Sequence, residues 1–320
     1  MARKLFRVIA HIFSGSEHGF ATHYIPARRI PTLLERLAAL EHPHPTVIDR
    51  AIEELSLEHQ SDERLTSTLT GKIRSALDYA FRHDTVEKIL EDLKSFLNHG
   101  DESVRDWAKN TLAMLELRSP TSLKVALKAI RKGRDLTLLE ALNMELKIAT
   151  AYCVSLVGNH FLDGGLTGDV QNDVVPDFIT GVRAVLLEKI EGRPQWSPSN
   201  VEEVTDEIVS RFFDSNSPYL ASAPQITVPE HLKSGPSFHL MKHALPMEED
   251  IGVVVRGAQS TGGTTGITLD ELVARFEQVH QGKLGVREKV VEVAQRRCDT
   301  VKNAGSGLVW LKWNRLRARP

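Results

Sequence analysis

Apolar residues recur at intervals of three and four positions along most of the chain from residue 30 to residue 150. That spacing places them on one face of an α-helix. Four of these stripes consist of Leu33, Leu34, Leu37 and Leu40; of Val86, Ile89, Leu90, Leu93 and Leu97; of Val104, Trp107, Ala108, Leu112 and Leu115; and of Leu139, Leu142 and Leu146. Because short links separate the stripes, the pattern predicts antiparallel helices around a shared core and a mainly α fold from about residue 25 to residue 214.

Residues that cap helices mark where several of these helices begin. A hydroxyl side chain before a helix accepts a hydrogen bond from a free backbone N–H, and proline is tolerated in the first turn. Ser119-Pro120 has both features. Caps in which an acidic residue follows three positions later are predicted at Asp84 and Glu87, at Thr137 and Glu140, at Ser199 and Glu202, and at Thr268 and Glu271.

Breaks in the helical pattern divide the chain into segments. Residues 154–175 contain four glycines and neither Lys nor Arg, so we predict a loop inserted into a helical region that spans residues 19–214. Residues 215–266 are rich in Ser, Pro and Gly and are predicted to form a flexible linker. Residues 267–320 are predicted to form a small helical extension, whose second helix runs over residues 286–301.

Residues 1–18 form an atypical N-terminal segment. Arg3, Lys4 and Arg7 precede the first acidic residue, Glu17, and the apolar residues between them fall on one helical face. An acid-free amphipathic start that contains arginine is typical of a mitochondrial presequence, although an ordinary surface helix fits the same residues. We therefore expect a mitochondrial protein.

Composition excludes several classes of protein. The chain has 320 residues, of which 41% are hydrophobic, and this is ordinary for a globular protein rather than a collagen-like or low-complexity one. Its formal net charge of -2 gives no overall field that would attract nucleic acid. Only two cysteines are present, which excludes a disulfide framework and a cysteine-rich zinc cluster. No apolar run approaches the roughly 18 residues needed to cross a bilayer, so no membrane partner is expected.

Few residues carry a recognisable chemical motif. His42 and His44 are close in sequence, and His239 and His243 have helical spacing, but neither pair has an evident third ligand, so no metal site is predicted. Cys153 is interpreted as a buried thiol rather than a nucleophile.

The end of the chain combines aromatic and basic residues. Trp310 and Trp313 stand among Lys312, Arg315 and Arg317. Such a segment can stack on RNA bases and pair with phosphates, or it can be a solvated tail whose tryptophans dock on the protein itself.

Several sequence blocks resemble one enzyme family. They are GFATHYI at 19–25, SPTSLKVALKAIRKG at 119–133, LTLLEALNMELKIA at 136–149, and DFITGVRAVLLEK with PQWSP at 177–198. In order and spacing they resemble the 3-hydroxyisobutyryl-coenzyme A hydrolases, a mitochondrial branch of the crotonase (enoyl-CoA hydratase) superfamily. The resemblance implies hydrolysis of a coenzyme A (CoA) thioester to 3-hydroxyisobutyrate and CoA in valine catabolism, with no separate cofactor.

The same resemblance implies that the catalytic half of the fold is absent. In this family a sheet-rich half before the GFATHY block supplies the oxyanion hole and the acidic catalytic residues, and only eighteen residues precede Gly19. We therefore assign no catalytic residue and expect the C-terminal helical part of a crotonase-like fold, without most of its ββα sheet half. This polypeptide is expected to be inert as an enzyme, and apolar faces left uncovered would favour self-association.

Arg183 and Lys189 are the residues that the resemblance points to for binding the CoA phosphates. They lie in the block that corresponds to the terminal helix of crotonases, which touches the nucleotide end of CoA. Crotonases often carry an aromatic residue there, whereas this chain has Val185. Solvated helix charges are the alternative interpretation of both residues.

A second function follows from a related resemblance. Some fungal proteins of the mitochondrial small ribosomal subunit look like this hydrolase and carry extra C-terminal sequence. Residues 235–320 lie beyond the usual end of the hydrolase and fit such an extension. A structural ribosomal protein needs no oxyanion hole, and under this alternative the basic aromatic tail has a use in binding RNA.

Overall fold

The computed structural model describes most of the chain. The described residues are 22–23, 25–42, 44–57, 69–154, 177–221, 223–228, 243–260, 266–302 and 309–314. Within them the protein is mainly helical, as the sequence predicts. The predicted inserted loop at residues 154–175 lies almost entirely outside the described residues, and so do the N-terminal eighteen residues.

The described secondary structure consists of twelve α-helices, one β-hairpin, a π-helical turn and three short 3-10 helices, Ala27–Arg29, Val201–Glu203 and Pro218–Leu220. The helices are α1 (Ile30–Ala38), α2 (Pro45–Leu57), α3 (Gly71–Ala80), α4 (Val86–Phe96), α5 (Glu102–Glu116), α6 (Pro120–Gly133), α7 (Leu138–Val154), α8 (Asp177–Val182), α9 (Asp206–Ser210), α10 (Glu248–Ser260), α11 (Leu269–Val279) and α12 (Val286–Arg297). A π-helical turn, Arg183–Leu187, continues α8. Strands β1 (Cys298–Lys302) and β2 (Val309–Trp313) pair antiparallel, with Cys298 opposite Trp313.

The molecule divides into two compact units. The first combines Met1–Leu77 with Pro236–Pro320, and the second is Asp78–Gly235. Each unit has its own core. The first unit therefore joins both ends of the chain, whereas the sequence blocks suggest a continuous family-like region followed by an extension. The absence of a sheet-rich half remains a prediction.

The C-terminal part of the first unit encloses a well-defined apolar core. Its buried members come from α10, α11, α12, both strands and the segments before them: Leu245, Ile251, Val255, Ile267, Leu272, Val273, Phe276, Val286, Val290, Val293, Ala294, Cys298, Leu311 and Trp313. One glycine within α10 and one glycine before α11 let the hairpin approach closely. At Gly252 an added Cβ would lie 2.8 Å from Trp313 Cζ2, and at Gly266 it would lie 2.8 Å from Trp310 Cβ.

The second unit has a core built on α6 and α7. Its buried members are Val125, Ala151, Val204, Val209, Phe212 and Leu220. Three members of the predicted α4 stripe, Val86, Ile89 and Leu93, are buried. Leu90 is partly buried, Leu97 is exposed, and Phe96 is buried although the prediction did not include it.

The predicted caps are confirmed at three helices and differ at two. Ser119 Oγ accepts a hydrogen bond from Ser122 N at 2.9 Å, and boxes form at Thr137 and Thr268 with the predicted glutamates. At residues 199–203 the box forms one position later than predicted, between Asn200 and Glu203. Thr85, not Asp84, occupies the cap of α4, because the Asp84 carboxylate instead accepts from Arg131 Nε at 2.9 Å.

A helix, α10, lies within the segment that the sequence analysis interprets as a linker. Ile251 and Val255 are one turn apart on this helix and are fully buried. Acidic residues in its first turn favour helix formation there, because the N-terminal end of a helix carries partial positive charge. The Ser- and Gly-rich stretches on either side obscure this short apolar stripe in the sequence.

The last predicted helix is shorter than expected. Instead of continuing to Val301, α12 ends at Arg297, and the chain turns into β1 with Cys298 in the extended conformation. Pairing with β2 determines this change, since Thr300 and Val301 oppose Leu311 and Trp310. No helix in the described parts of the chain is long and apolar enough to span a membrane.

Candidate functional site

The structure places Arg183 and Lys189 on one short exposed segment at the end of α8. Arg183 opens the π-helical turn, and its Nε lies 3.9 Å from Glu188 Oε1, with both side chains about half exposed. Lys189 follows in the left-handed region of the backbone, with φ of 51°. Val185, Leu186 and Leu187 beside them are also exposed. Two cations next to exposed apolar side chains can bind an amphiphilic anion such as CoA. The assignment of Arg183 and Lys189 to the CoA phosphates stays a prediction.

A group of interacting titratable side chains lies in the first unit. It comprises His23, Asp49, Glu53, His243 and Lys283, whose side chains are between 8% and 31% exposed, and we call it the charge cluster. The two α2 carboxylates each have a close partner in a distant part of the sequence. The oxygen Oδ1 of Asp49 lies 2.8 Å from His23 Nε2 and 3.0 Å from His243 Nδ1.

The second carboxylate of this cluster holds the loop between α11 and α12. Glu53 Oε2 lies 2.8 Å from Lys283 Nζ, and Glu53 Oε1 accepts a hydrogen bond from Leu284 N at 2.9 Å. The Lys283 side chain is only 8% exposed, so its charge depends on these acidic partners. The charge cluster therefore connects α2 to His243, which precedes α10, and to Lys283, which lies between α11 and α12.

The Asp49–His243 pair has the geometry of a general-base dyad but lacks access to a substrate. In such a dyad a carboxylate orients the imidazole and leaves its other nitrogen free to take a proton. His243 Nε2 is that nitrogen, and it has no hydrogen-bond partner among the described residues, but the atom is buried. In this arrangement the cluster is structural.

The histidine at the edge of the charge cluster is shifted toward its neutral form. Burial lowers the pKa of His23, and the Lys283 ammonium lowers it further, while Asp49 and Glu53 oppose the change. With Nε2–H donating to Asp49, the other ring nitrogen, 2.9 Å from Thr22 Oγ1, is placed to accept a hydrogen bond. A neutral ring satisfies both contacts.

A second polar group is buried in the other unit, where α8 begins. The Ser119 hydroxyl donates to the Asp177 carboxylate, and Ser197 N donates to the same carboxylate at 3.4 Å. Burial raises the pKa of Asp177, and burial also raises the pKa of Tyr152 to about 12. The Tyr152 hydroxyl accepts from Ser122 Oγ at 3.1 Å. The Ser119–Asp177 hydrogen bond joins the SPTSLK block to the DFITGVRAVLLEK block. The other two bonds join α7 and Ser197 to the same region.

One of the two C-terminal tryptophans, Trp313, is docked within the protein. Trp313 is 8% exposed, and the guanidinium groups of Arg256 and Arg297 lie 5.5 and 5.3 Å from its ring centre. Of the two interpretations of the C-terminal tryptophans, stacking on RNA or docking on the protein itself, Trp313 follows the second. Its ring is therefore unavailable for stacking on a base. Arg315 and Arg317 lie outside the described residues.

The other sequence candidates do not form a site. Cys153 is exposed near the end of α7, so the prediction of a buried thiol is wrong, because the neighbouring Ala151 and Tyr152 face the core instead. His239 lies outside the described residues, and His243 serves the charge cluster. Within the described ranges no group of three or more His, Cys, Asp or Glu side chains is arranged to hold a metal ion.

Sequence reasoning missed the charge cluster because no local signal announces it. Asp49 and Glu53 sit one turn apart on α2, which by itself indicates only a solvated acidic face. Their partners stand about 190 to 230 positions later in the chain. Of the five residues in the charge cluster, only His23 lies in one of the family-like sequence blocks, GFATHYI.

Comparison with known proteins identifies the family of the larger part of the chain. The family described as enoyl-CoA hydratase/isomerase matches residues 14–213. Small ribosomal subunit protein mS47 of Neurospora crassa is 29% identical over 87% of this chain and 50% of its own length. The Arabidopsis thaliana 3-hydroxyisobutyryl-CoA hydrolase-like protein 1, mitochondrial, is 34% identical over 67% of this chain and 47% of its own. The mitochondrial 3-hydroxyisobutyryl-CoA hydrolase of Homo sapiens is 30% identical, covering 62% and 44%.

The lengths of these alignments limit and extend what the matches show. The chain spans about half the length of the curated relatives it matches. The alignment with mS47 also extends past the family match, because residues up to 213 cannot by themselves supply 87% of a 320-residue chain. The mitochondrial location predicted from the sequence is confirmed by relatives that are named as mitochondrial.

Proposed function

Because the chain belongs to the enoyl-CoA hydratase/isomerase family, we propose that it is a hydrolase-related structural protein of the mitochondrial small ribosomal subunit. The observation that carries this proposal is the extent of similarity to mS47, which runs beyond the family domain into the C-terminal segment. The matches to the two hydrolase relatives cover no more than 67% of the chain.

The way the C-terminal segment folds supports this proposal. It builds a core of its own from α10 to β2, and its residues His243 and Lys283 reach the carboxylates of α2. Fourteen buried residues in one cluster are typical of a folded domain rather than of a solvated tail. A folded segment of this kind can serve as a structural part of a larger assembly without any catalytic group.

Sedimentation of mitochondrial extracts tests this function. The epitope-tagged chain is expected to travel with the small ribosomal subunit in a sucrose gradient at low salt, and to be released as salt increases if RNA contacts hold it. A matrix enzyme of similar mass serves as the control for trapping. If the chain stays at the top of the gradient at low salt together with that enzyme, the ribosomal proposal is wrong.

Hydrolysis of 3-hydroxyisobutyryl-CoA is the second candidate. It is favoured by 34% identity to the Arabidopsis hydrolase-like protein and 30% identity to the human hydrolase. Under this proposal the substrate is a CoA thioester, and Arg183 and Lys189 contact its phosphates. Oxyanion donors and a catalytic carboxylate are the groups that the reaction needs, and no residue of this chain is assigned to either role.

A thioesterase assay separates the two candidates. The purified chain is expected to release no CoA above the uncatalysed rate from 3-hydroxyisobutyryl-CoA or from other acyl-CoA substrates. Clear turnover would restore the hydrolase candidate. In that case Arg183→Gln with Lys189→Gln should raise KM, because both side chains are expected to bind the phosphates and not to touch the thioester.

A further inference from the structure

We propose that a surface on α6 binds the phosphodiester backbone of single-stranded RNA. The surface consists of Lys128, Lys132, Ser210 and Phe213, and we call it the lysine–phenylalanine surface. The inference rests on the proposed ribosomal function and names the kind of molecule that the protein contacts there.

The geometry of this surface concentrates positive charge. Lys128 and Lys132 are one turn apart on α6, and their Nζ atoms lie 5.1 and 4.9 Å from the centre of the Phe213 ring. The two ammonium groups are therefore within about 10 Å of each other. Lys128 Nζ also donates to Ser210 Oγ at 3.5 Å, and Phe213 N donates to Ser210 O at 2.9 Å, which holds the ring beside the lysines.

The same helix shows that these two charges are exceptional. Lys124, one turn earlier, is 2.5 Å from Glu87 and donates to Val204 O at 2.8 Å. Arg131 is held by Asp84 and by two backbone carbonyls. By contrast, no carboxylate in the described part of the chain lies within salt-bridge distance of Lys128 or Lys132. Within the described residues, their charge is therefore not matched by a carboxylate.

The chemistry of the surface fits a phosphate backbone. Lysine ammonium is a compact point charge that binds phosphate readily, whereas planar, bidentate recognition of carboxylates favours arginine. Residues four apart on a helix are separated by about 6 Å along its axis, so the lysines offer two contacts in series to a polyanion. The Phe213 ring packs against the core of the second unit and lies beside both ammonium groups, so its role is to position the two lysines for phosphate contact.

Binding of a fluorescein-labelled oligouridylate, followed by anisotropy, tests this proposal on the full chain. Lys128→Gln with Lys132→Gln removes both charges and leaves an uncharged polar side chain at each position. The matched control is Lys88→Gln with Lys94→Gln, two exposed lysines of α4, which removes the same charge. We expect affinity to fall by about tenfold or more in the first variant and by less than about threefold in the control. The plot of log affinity against log salt should become shallower by about 1.4, the value for two phosphate contacts to a single strand.

Several outcomes would overturn the proposal. They are no RNA binding by the unaltered chain at low salt, equal losses in the two variants, or displacement of the RNA by poly-glutamate at matched charge concentration. Circular dichroism checks that both double variants are folded. If Lys128→Gln with Lys132→Gln unfolds, the single variant Lys132→Gln, at an exposed position, replaces it. Lys132→Gln should weaken RNA binding more than Lys88→Gln does. If the unaltered chain sediments with the small subunit while the double variant binds RNA as its control does, the RNA site is wrong and the ribosomal function stands. If the unaltered chain fails to sediment, the ribosomal function is wrong independently of the RNA assay.

Discussion

Single side chains in the first unit make contacts whose strength depends on burial. Glu53 and Glu54 are neighbours on α2, but they differ in environment. The Glu53 side chain is 17% exposed and meets the buried Lys283, whereas Glu54 is 59% exposed and meets an Arg36 that is itself 43% exposed. Water screens the second pair and not the first, so only the first should matter for stability.

Replacing these two glutamates one at a time tests that difference. Glu53→Ala leaves the Lys283 ammonium without its nearest counter-charge and the Leu284 N–H without its acceptor, so we expect a loss of about 3 kcal/mol in the free energy of unfolding. Glu54→Ala should cost less than about 1 kcal/mol. Urea unfolding followed by tryptophan fluorescence measures both. Equal losses would show that burial of the Lys283 charge is not what stabilises this contact.

The lowered pKa of His23 makes the stability of the first unit depend on pH. Its folded pKa lies below 6.5, the value for a free imidazole, so the unfolded chain binds more protons between the two values. Stability from this group is fully present above pH 6.5 and is lost as pH falls through the folded pKa. Burial and Lys283 lower the pKa of His280 as well, so this residue contributes in the same direction.

Thermal melts at about pH 7.5 and about pH 5.5 test this dependence. We expect the unaltered chain to melt at a lower temperature at the acidic pH, and His23→Gln to reduce that difference. His42→Gln, at an exposed position on the loop after α1, is the matched control and should retain the full difference. A difference that is unchanged in His23→Gln would contradict the assignment to His23.

At the scale of elements, helix α10 shows how a helix can be fitted to a hairpin. Gly252 faces β2, and an added Cβ would lie 2.8 Å from Trp313 Cζ2 and 2.9 Å from Arg256 Nη1. Gly257 lies five residues later on the same helix. Among the described residues, no heavy atom outside its own helix backbone and chain neighbours lies within 4 Å of such a Cβ. The helix therefore needs glycine at one position for packing and carries it at the other at a cost in helix propensity.

Alanine at these two glycines should have opposite effects. Gly252→Ala is expected to lower the free energy of unfolding by about 1 to 3 kcal/mol, because Trp313 must move within a packed core. Gly257→Ala is expected to raise it by up to about 1 kcal/mol, because alanine loses less backbone entropy in a helix. Urea unfolding measures both variants. A neutral Gly252→Ala would mean that the hairpin does not press against α10 in solution.

At the scale of the whole molecule, the first unit is made from both ends of the chain. Residues from His23 to Leu57 share it with the segment that contains α10 to β2, and the charge cluster joins the two. The second unit is continuous in sequence and has its own core. Loss of the C-terminal segment should thus affect the N-terminal helices more than the helices from α4 to α6.

Limited proteolysis with mass spectrometry tests this prediction. A chain that ends after residue 235 is expected to be cleaved much faster within residues 25–57, because Asp49 and Glu53 lose His243 and Lys283. A chain that ends after Asn314 retains the hairpin and is the control. Cleavage within residues 86–133 should be similar in both. Equal protection of residues 25–57 in both chains would mean that the C-terminal segment does not stabilise α1 and α2.

The sequence by itself determined most of the local structure. Periodic stripes such as that of α4 identify helices, and hydroxyl caps such as Ser119 identify their first turns, because both signals act over a few neighbouring residues. The sequence blocks also identified the family, which the match over residues 14–213 confirms.

Tertiary structure decided what depends on distant partners. Cys298 and the residues after it became a strand, not a helix, because β2 offers a ladder of backbone partners. The acidic pair on α2 became a buried cluster because His243 and Lys283 fold onto it. Lys128 and Lys132 differ from Lys124 only through the residues packed beside them, since the helix gives all three the same spacing. Such contacts depend on how remote segments meet, and no pattern within one segment encodes that meeting.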